Sequence, residues 1–249
     1  MQLQLIRHAT LVCEYAGMRL LVDPMLNDAG AGPPIQNSPQ PRPNPLVPLP
    51  CAAEEVVDGA QAVLVTHTHR DHWDDAAIQL VPKDLALFCQ PEDVAKMEST
   101  RFVNTAPVHD ARHWNKICIT RTGGQHGTGE IGKAMAPVSG YVLQNEHEPT
   151  LYIAGDTIWC RDVEDAIQRF KPEIIVVNAG GARFLQGDPI TMTAEDVVQV
   201  CHAAPKARVV AVHMEAINHC LVTRKDLALA AHAAHVRVEI PEDGELVLL

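Results

Sequence analysis

The sequence predicts an α/β domain with sheets at its centre and helices outside. Three observations carry this reading. The chain opens on apolar runs of strand length, at 2–6 and 19–22, with Val12 to Tyr15 between them. From residue 61 onward, strand-length apolar runs alternate with helix-length stretches. Hydrophobic residues make up 47% of the 249, enough to supply a sizeable buried core. Strands first, then mixed strands and helices, suit sheets covered by helices.

Taken in order, Gly17 punctuates the opening strands, and the last of them ends at Asp23-Pro24. Residues 27–50, NDAGAGPPIQNSPQPRPNPLVPLP, are too rich in proline and glycine for a helix or a central strand. An opening of 26 residues cannot form a domain alone, so this segment reads as a loop packed over the body and bordering the active site, within one domain spanning 1–249. Further strands are expected at 62–66, 85–89, 102–104, 116–121, 139–144, 150–154, 173–178, 207–212, 236–240 and 245–248. Helices are expected at 73–80, 91–98, 162–170, 193–203 and 224–234. Thr193 followed by Asp196 resembles an N-terminal cap, and Pro172 lies just past the end of the 162–170 helix.

Composition excludes several classes. No stretch approaches ~20 uninterrupted apolar residues, so no membrane partner is expected. The start, MQLQLIRHAT, lacks the basic and long apolar regions of a signal peptide, leaving a cytoplasmic location as the default expectation. A net charge of -11 argues against nonspecific nucleic-acid binding. Seven scattered cysteines with no CxxC suit reduced thiols rather than a disulfide framework. The apolar content permits a homo-oligomer without demonstrating one.

Thirteen histidines are many for this length. His8, His109, His113, His147, His202, His232 and His235 lack ligand-rich neighbours and read as ordinary surface or core residues. THTHRDH, residues 66–72, is different. His67 and His69 lie two apart on an extended stretch and point the same way. Asp71 and His72 lie past the turn and can face a second point nearby. Crowding these polar groups together without a metal would be costly. Four ligands do not complete two sites, and partners appear downstream: His126 between glycines in GGQHGTG, Asp156 after the strand in LYIAGDT, and His213 closing the strand in VVAVHME.

In this order the motifs resemble the metallo-β-lactamase superfamily, from LLVDP through THTHRDH, His126 and AGDT to AVHME. The resemblance implies a four-layer αβ/βα sandwich with a binuclear metal centre at one edge of the sheets. It also implies that His67, His69 and His126 hold one metal, that Asp71, His72 and His213 hold the other, and that Asp156 bridges them. Asp23 would support the cluster from behind. The proline loop, NAGGARF and HMEAINH are similar to bacterial metal-dependent hydrolases related to L-ascorbate-6-phosphate lactonase.

Two divalent ions, with zinc first and manganese or iron as alternatives, would make the site locally cationic. It would then favour a small anionic substrate, or an oxyanion that develops during reaction. The expected activity is hydrolysis by a metal-bridging hydroxide, opening a lactone or cleaving a related ester, with Asp71 and Asp156 as the catalytic carboxylates. A phosphodiesterase with the same site is the alternative, and a non-catalytic metal- or ligand-binding relative is a third reading. Arg183, Asn218 and His219 are candidate substrate contacts. Trp73 reads as helix packing and Cys220 as a buried thiol.

Overall fold

The computed structural model describes residues 1–248. The first sheet contains β1 (Gln2–Arg7), β2 (Thr10–Tyr15), β3 (Met18–Val22), β4 (Ala62–Leu64), β5 (Ala86–Cys89) and β6 (Thr105–Pro107). The second contains β7 (Ala111–Trp114), β8 (Ile117–Thr122), β9 (Gly140–Asn145), β10 (Glu148–Ile153), β11 (Ile174–Asn178) and β12 (Arg208–Val212). A last strand, β13 (Leu246–Leu248), returns to pair with β1. The spatial orders are β13-β1-β2-β3-β4-β5-β6 and β12-β11-β10-β9-β8-β7. Each sheet mixes antiparallel hairpins with parallel pairs, β3 to β6 in the first and β10 to β12 in the second.

Alternation along the strands builds four layers. In β11, Ile174 and Val176 face the core between the sheets, while Ile175 and Val177 face a helical layer. In β4, Ala62 and Leu64 point inward and Val63 outward. The second sheet is covered by α5 (Arg161–Phe170), α6 (Ala194–Ala203) and α7 (Arg224–Ala233). The first is covered by α1 (Ala53–Val57), α2 (Asp75–Leu80) and α3 (Val94–Ser99), with Trp73 buried beneath them beside Phe102. A further helix, α4 (Gly129–Met135), follows the loop that carries His126. Thr193 and Asp196 form a reciprocal capping box that starts α6, and Thr223 and Asp226 do the same for α7. Among the described residues no helix is long and apolar enough to cross a membrane.

Some sequence expectations need correction. The segment 102–104 is not a strand; the strand begins at Thr105. The segment 236–240 alternates like a strand but contributes only an isolated bridge, Glu239 to Val210. Its apolar residues Val236, Val238 and Ile240 pack on the helical side instead. The short helices α1 and α4 and the strand β7 were not expected.

The proline loop is fixed to the body at both ends. The buried Arg7 guanidinium donates to the carbonyls of Met25, Asn27 and Val47 at 2.8–3.0 Å. Burial pulls its pKa down to about 10, still cationic at neutral pH. Asp74 caps α2 through Ala77 N–H and accepts Asn27 N–H at 2.7 Å, joining the loop to the helix after the histidine motif.

Candidate metal centre

The residues of the histidine motif meet at one end of the two sheets. His67 lies three residues past the end of β4. The chain then turns tightly, with His72 and Trp73 N–H both donating to His69 C=O at 3.0 and 2.9 Å, so that His72 swings back toward His67. Asp23, at the end of β3, holds this turn. Its carboxylate accepts Thr66 N–H and Thr66 Oγ1–H, each at 2.7 Å, and His72 Nδ1–H at 2.9 Å.

The second sheet supplies the other donors from its strand ends. Asp156 follows β10 through Gly155, whose φ of 69° is left-handed and where a Cβ would meet Ser139 O at 2.6 Å. Asn178, ending β11, donates Nδ2–H to Asp156 Oδ1 at 2.7 Å. His213 follows β12. His126 comes from the loop after β8.

Several of these imidazoles are anchored on their outer side. With Thr66 Oγ1–H engaged by Asp23, the hydroxyl oxygen is free to accept His67 Nδ1–H at 3.2 Å. His72 Nδ1–H goes to Asp23, and His126 Nδ1–H to Ile190 C=O at 2.8 Å. His213 Nδ1 faces Cys220 Sγ at 3.6 Å. Each ring therefore aims its Nε2 inward, which is how metal-ligating histidines are held. Ring nitrogens then face one another at close range, His67 Nε2 and His69 Nδ1 at 2.9 Å, and His72 Nε2 and His213 Nε2 at 3.2 Å. A divalent cation resolves this crowding, and the nitrogen and carboxylate donor set suits one.

The donors fall into overlapping groups. His67, His69 and His126 form one, His8, Asp71, His72 and His213 form another, and His67, His72 and Asp156 form a third that links them. Asp156 stands between them. Its Oδ2 lies 3.2 Å from His72, 3.5 Å from His126 and 3.8 Å from His67, and its Oδ1 lies 3.2 Å from His213. The sequence expectations are brought together in this arrangement, with one correction. His8, read from sequence as an ordinary residue, is fully buried inside the second group, with Nε2–H donating to Asp71 Oδ2 at 3.2 Å.

Burial pushes the pKa of His67 and His213 well below the usual histidine value, and lowers His69 as well, so these rings are neutral at neutral pH. Burial also disfavours charge on His72, but Asp156, Asp23 and Asp71 together outweigh it and raise His72 well above its ordinary value. Burial would raise Asp71 and Asp156, yet His72 and His8 hold Asp71 well below the carboxylate range, and His213 and His72 do the same for Asp156. Without metal the centre keeps a proton on His72. A bound cation would replace it.

The expected substrate contacts fare differently. Asn218 does not face a pocket. Its Oδ1 accepts Ile35 N–H and Asn44 Nδ2–H, and its Nδ2 donates to Ser38 and to the carbonyls of Gln40 and Ile35. It is the inner anchor of the proline loop. Arg183 is exposed, and its guanidinium turns back to Gly187 C=O at 3.2 Å. His219 is buried near Phe184, and burial lowers its pKa while Asp71 partly offsets this. Cys220 is a buried thiol whose pKa burial raises well above its usual value.

A cavity of about 600 Å³ opens beside Asp71 and under the proline loop. Its wall is mostly apolar, built from Met25, Pro34, Ile35, Phe184 and Ile217, with exposed Arg70 at its edge. Sequence reasoning passed over Arg70 although it sits inside the histidine motif. A larger groove of about 1120 Å³ runs beside α6 and α7 and includes none of the metal-facing donors.

The chain is also similar to known proteins in sequence and fold. A family described as the beta-lactamase superfamily domain matches residues 18–214. The chain is similar to UPF0173 protein YddR of Bacillus subtilis (strain 168), 38% identical over 98% of both chains. It is similar to the crystal structure of an isothiocyanate hydrolase from Delia radicum gut bacteria, 41% identical, covering 100% of this chain and 99% of that one, with a TM-score of 0.94. A possible metal-dependent hydrolase from Veillonella parvula DSM 2008 is 33% identical, with 100% and 99% coverage and a TM-score of 0.97.

Proposed function

Because the chain belongs to the beta-lactamase superfamily, as a metal-dependent hydrolase of the UPF0173 family, we propose that it hydrolyses a small, uncharged electrophile with an apolar tail, of the isothiocyanate class, using two divalent metals. The observation that carries this reading is the apolar cavity opening directly on Asp71. The 41% identical isothiocyanate hydrolase, matched over the whole chain, supports it. The cationic character expected of the centre then serves charge that develops during reaction rather than charge carried in by the substrate.

His67, His69 and His126 would hold one metal, Asp71, His72 and His213 the other, with Asp156 shared between them; zinc fits these donors, and manganese or iron would too. When bound, such metals bring the pKa of water down to about 7 and polarise the electrophile. In the overall reaction the water oxygen bonds to the central carbon of R–N=C=S and the nitrogen takes a proton. The resulting thiocarbamic acid loses its C–N bond as the nitrogen takes a second proton, releasing the amine R–NH2 and carbonyl sulfide. Asp71, at the boundary of donors and cavity, would orient the attacking water or shuttle its proton. Met25, Ile35, Phe184 and Ile217 would seat the tail and exclude water from it.

A lactone or other ester with an anionic arm is the second reading, and Arg70 at the cavity edge favours it by offering a planar cationic fork. The test is an assay of the metal-loaded protein on benzyl isothiocyanate, a γ-lactone and a phosphodiester. Amine and carbonyl sulfide from the first, at a kcat/KM at least tenfold above the others, is the expected result. Lactone opening without isothiocyanate turnover would overturn it in favour of the second reading.

A further inference from the structure

The buried ring of His8 has no place in the ligand scheme the motifs imply, yet it touches two members of it. Its Nε2–H donates to Asp71 Oδ2 at 3.2 Å. Its ring lies over that of His213 with centroids 3.5 Å apart. Its carbonyl accepts His213 N–H at 2.8 Å. These contacts join the end of β1, in the first sheet, to the end of β12, in the second.

The backbone is strained at both ends of this brace. His8 has φ 62° and His213 φ 70°, in the left-handed region that non-glycine residues seldom occupy. Such a conformation persists only where the surroundings impose it, and it gathers at functional sites. The outer nitrogen separates His8 from most of the inward-facing rings. His67, His72, His126 and His213 each have an outer partner, whereas His8 Nδ1 is buried with no hydrogen-bond partner among the described residues. A ligating histidine needs its second N–H satisfied. A histidine that donates through Nε2 leaves only a lone pair at Nδ1, the milder loss.

We propose that His8 is a positioning residue for the second metal site, its Nε2–H fixing the Asp71 carboxylate and its ring and carbonyl fixing His213, without itself ligating the metal. The inference rests on the two-metal reading above. Loss of the brace frees Asp71 to rotate toward the open cavity and lets His213 drift from His72. The second site should weaken while the first, made by His67, His69 and His126, is kept.

The test counts metals by elemental mass spectrometry after zinc loading and dialysis against a weak chelator, on wild type, His8→Ala and His8→Gln. The cobalt-loaded forms give visible spectra that report ligand geometry. Wild type should retain about two metals, His8→Ala about one, and His8→Gln, which restores an N–H donor, about two with an unchanged cobalt spectrum. Two metals in His8→Ala would overturn the proposal by making His8 merely structural. One metal in His8→Gln, or an altered cobalt spectrum, would overturn it by making His8 a ligand. Should His8→Ala not fold, the glutamine variant decides alone. A wild type that holds a single metal overturns the two-metal reading and this inference together, and is seen before any variant is made.

Discussion

Asp23 Oδ2 accepts His72 Nδ1–H at 2.9 Å while the same carboxylate caps Thr66, so one buried residue sets both the start of the histidine turn and the direction of its last ring. Asp23→Ala leaves Thr66 N–H and His72 Nδ1–H without acceptors. Metal affinity should fall about 10- to 100-fold, the usual cost of losing such a support. Buried donors left unpaired should lower stability by about 1–3 kcal/mol. Competition with a chromophoric chelator measures the first and denaturant unfolding the second; unchanged affinity would show that Thr66 alone suffices to hold the turn.

Asp156 lies between the two donor groups, within 3.8 Å of His67, His72, His126 and His213. Asp156→Ala removes the only expected ligand shared by both. Elemental mass spectrometry of protein purified without chelator should show about two metals in wild type and a clear loss in the variant. Equal counts would mean that the centre is held without a bridge.

The metal-free protein should lose stability as pH falls below about 6.5, the ordinary histidine value. His8, His67, His69, His213 and His219 have depressed pKa values in the fold, chiefly through burial, so in this window the unfolded chain binds more protons than the native one. Their contribution is therefore present above the unfolded value and lost as pH falls through the folded ones. His72 acts in another window: its raised pKa gives a contribution that is complete below the unfolded value and is lost only as pH rises above it. Thermal melts of apo protein should show Tm falling with acid from about pH 6.5 to 5. A flat profile there would mean that the lowered histidines are not held neutral in the fold. Added metal should raise Tm most at the alkaline end, where protons compete least for its ligands.

How much of this was legible in the sequence follows from how far apart the partners lie. THTHRDH was readable because a strand and one turn compress four donors into six positions, and His126, Asp156 and His213 each sit at the end of an apolar run or between glycines. His8 was not, because its partner Asp71 is 63 positions away and nothing beside it carries a donor. Asn218 was misread for the same reason: its partners, Ile35, Ser38, Gln40 and Asn44, lie some 174 to 183 positions earlier. The strand β7 escaped notice because Ala111, Arg112 and His113 are exposed on an edge and show no alternation. The segment 236–240 alternated for a different cause, packing against helices with little sheet pairing. Periodicity reports a buried face without saying what buries it.

Asn218→Ala should loosen the proline loop without touching the donors. The substitution strips Ile35 N–H and the Asn44 amide of their shared acceptor, costing about 2–3 kcal/mol. Limited proteolysis should then cut within 27–50, and KM should rise because the loop walls the cavity. Protease resistance equal to wild type would mean that Arg7 and Asp74 hold the loop by themselves.

Phe184 tests the cavity as the seat of the substrate's tail. Its half-buried ring lines the space beside Asp71 and lies 6.1 Å, centroid to centroid, from the ring of His219. Removing the ring takes away part of an apolar wall, worth about 1–2 kcal/mol of binding for an aryl tail and less for a methyl. Phe184→Ala should therefore raise KM for benzyl isothiocyanate about 5- to 30-fold, leave kcat within about twofold, and barely change KM for methyl isothiocyanate. Because the tail is bound equally in ground and transition states, the loss belongs in KM. A fall in kcat shared by both substrates would place Phe184 in support of the chemistry. No change for either would mean that the tail lies elsewhere, and the apolar cavity would no longer argue for the substrate class.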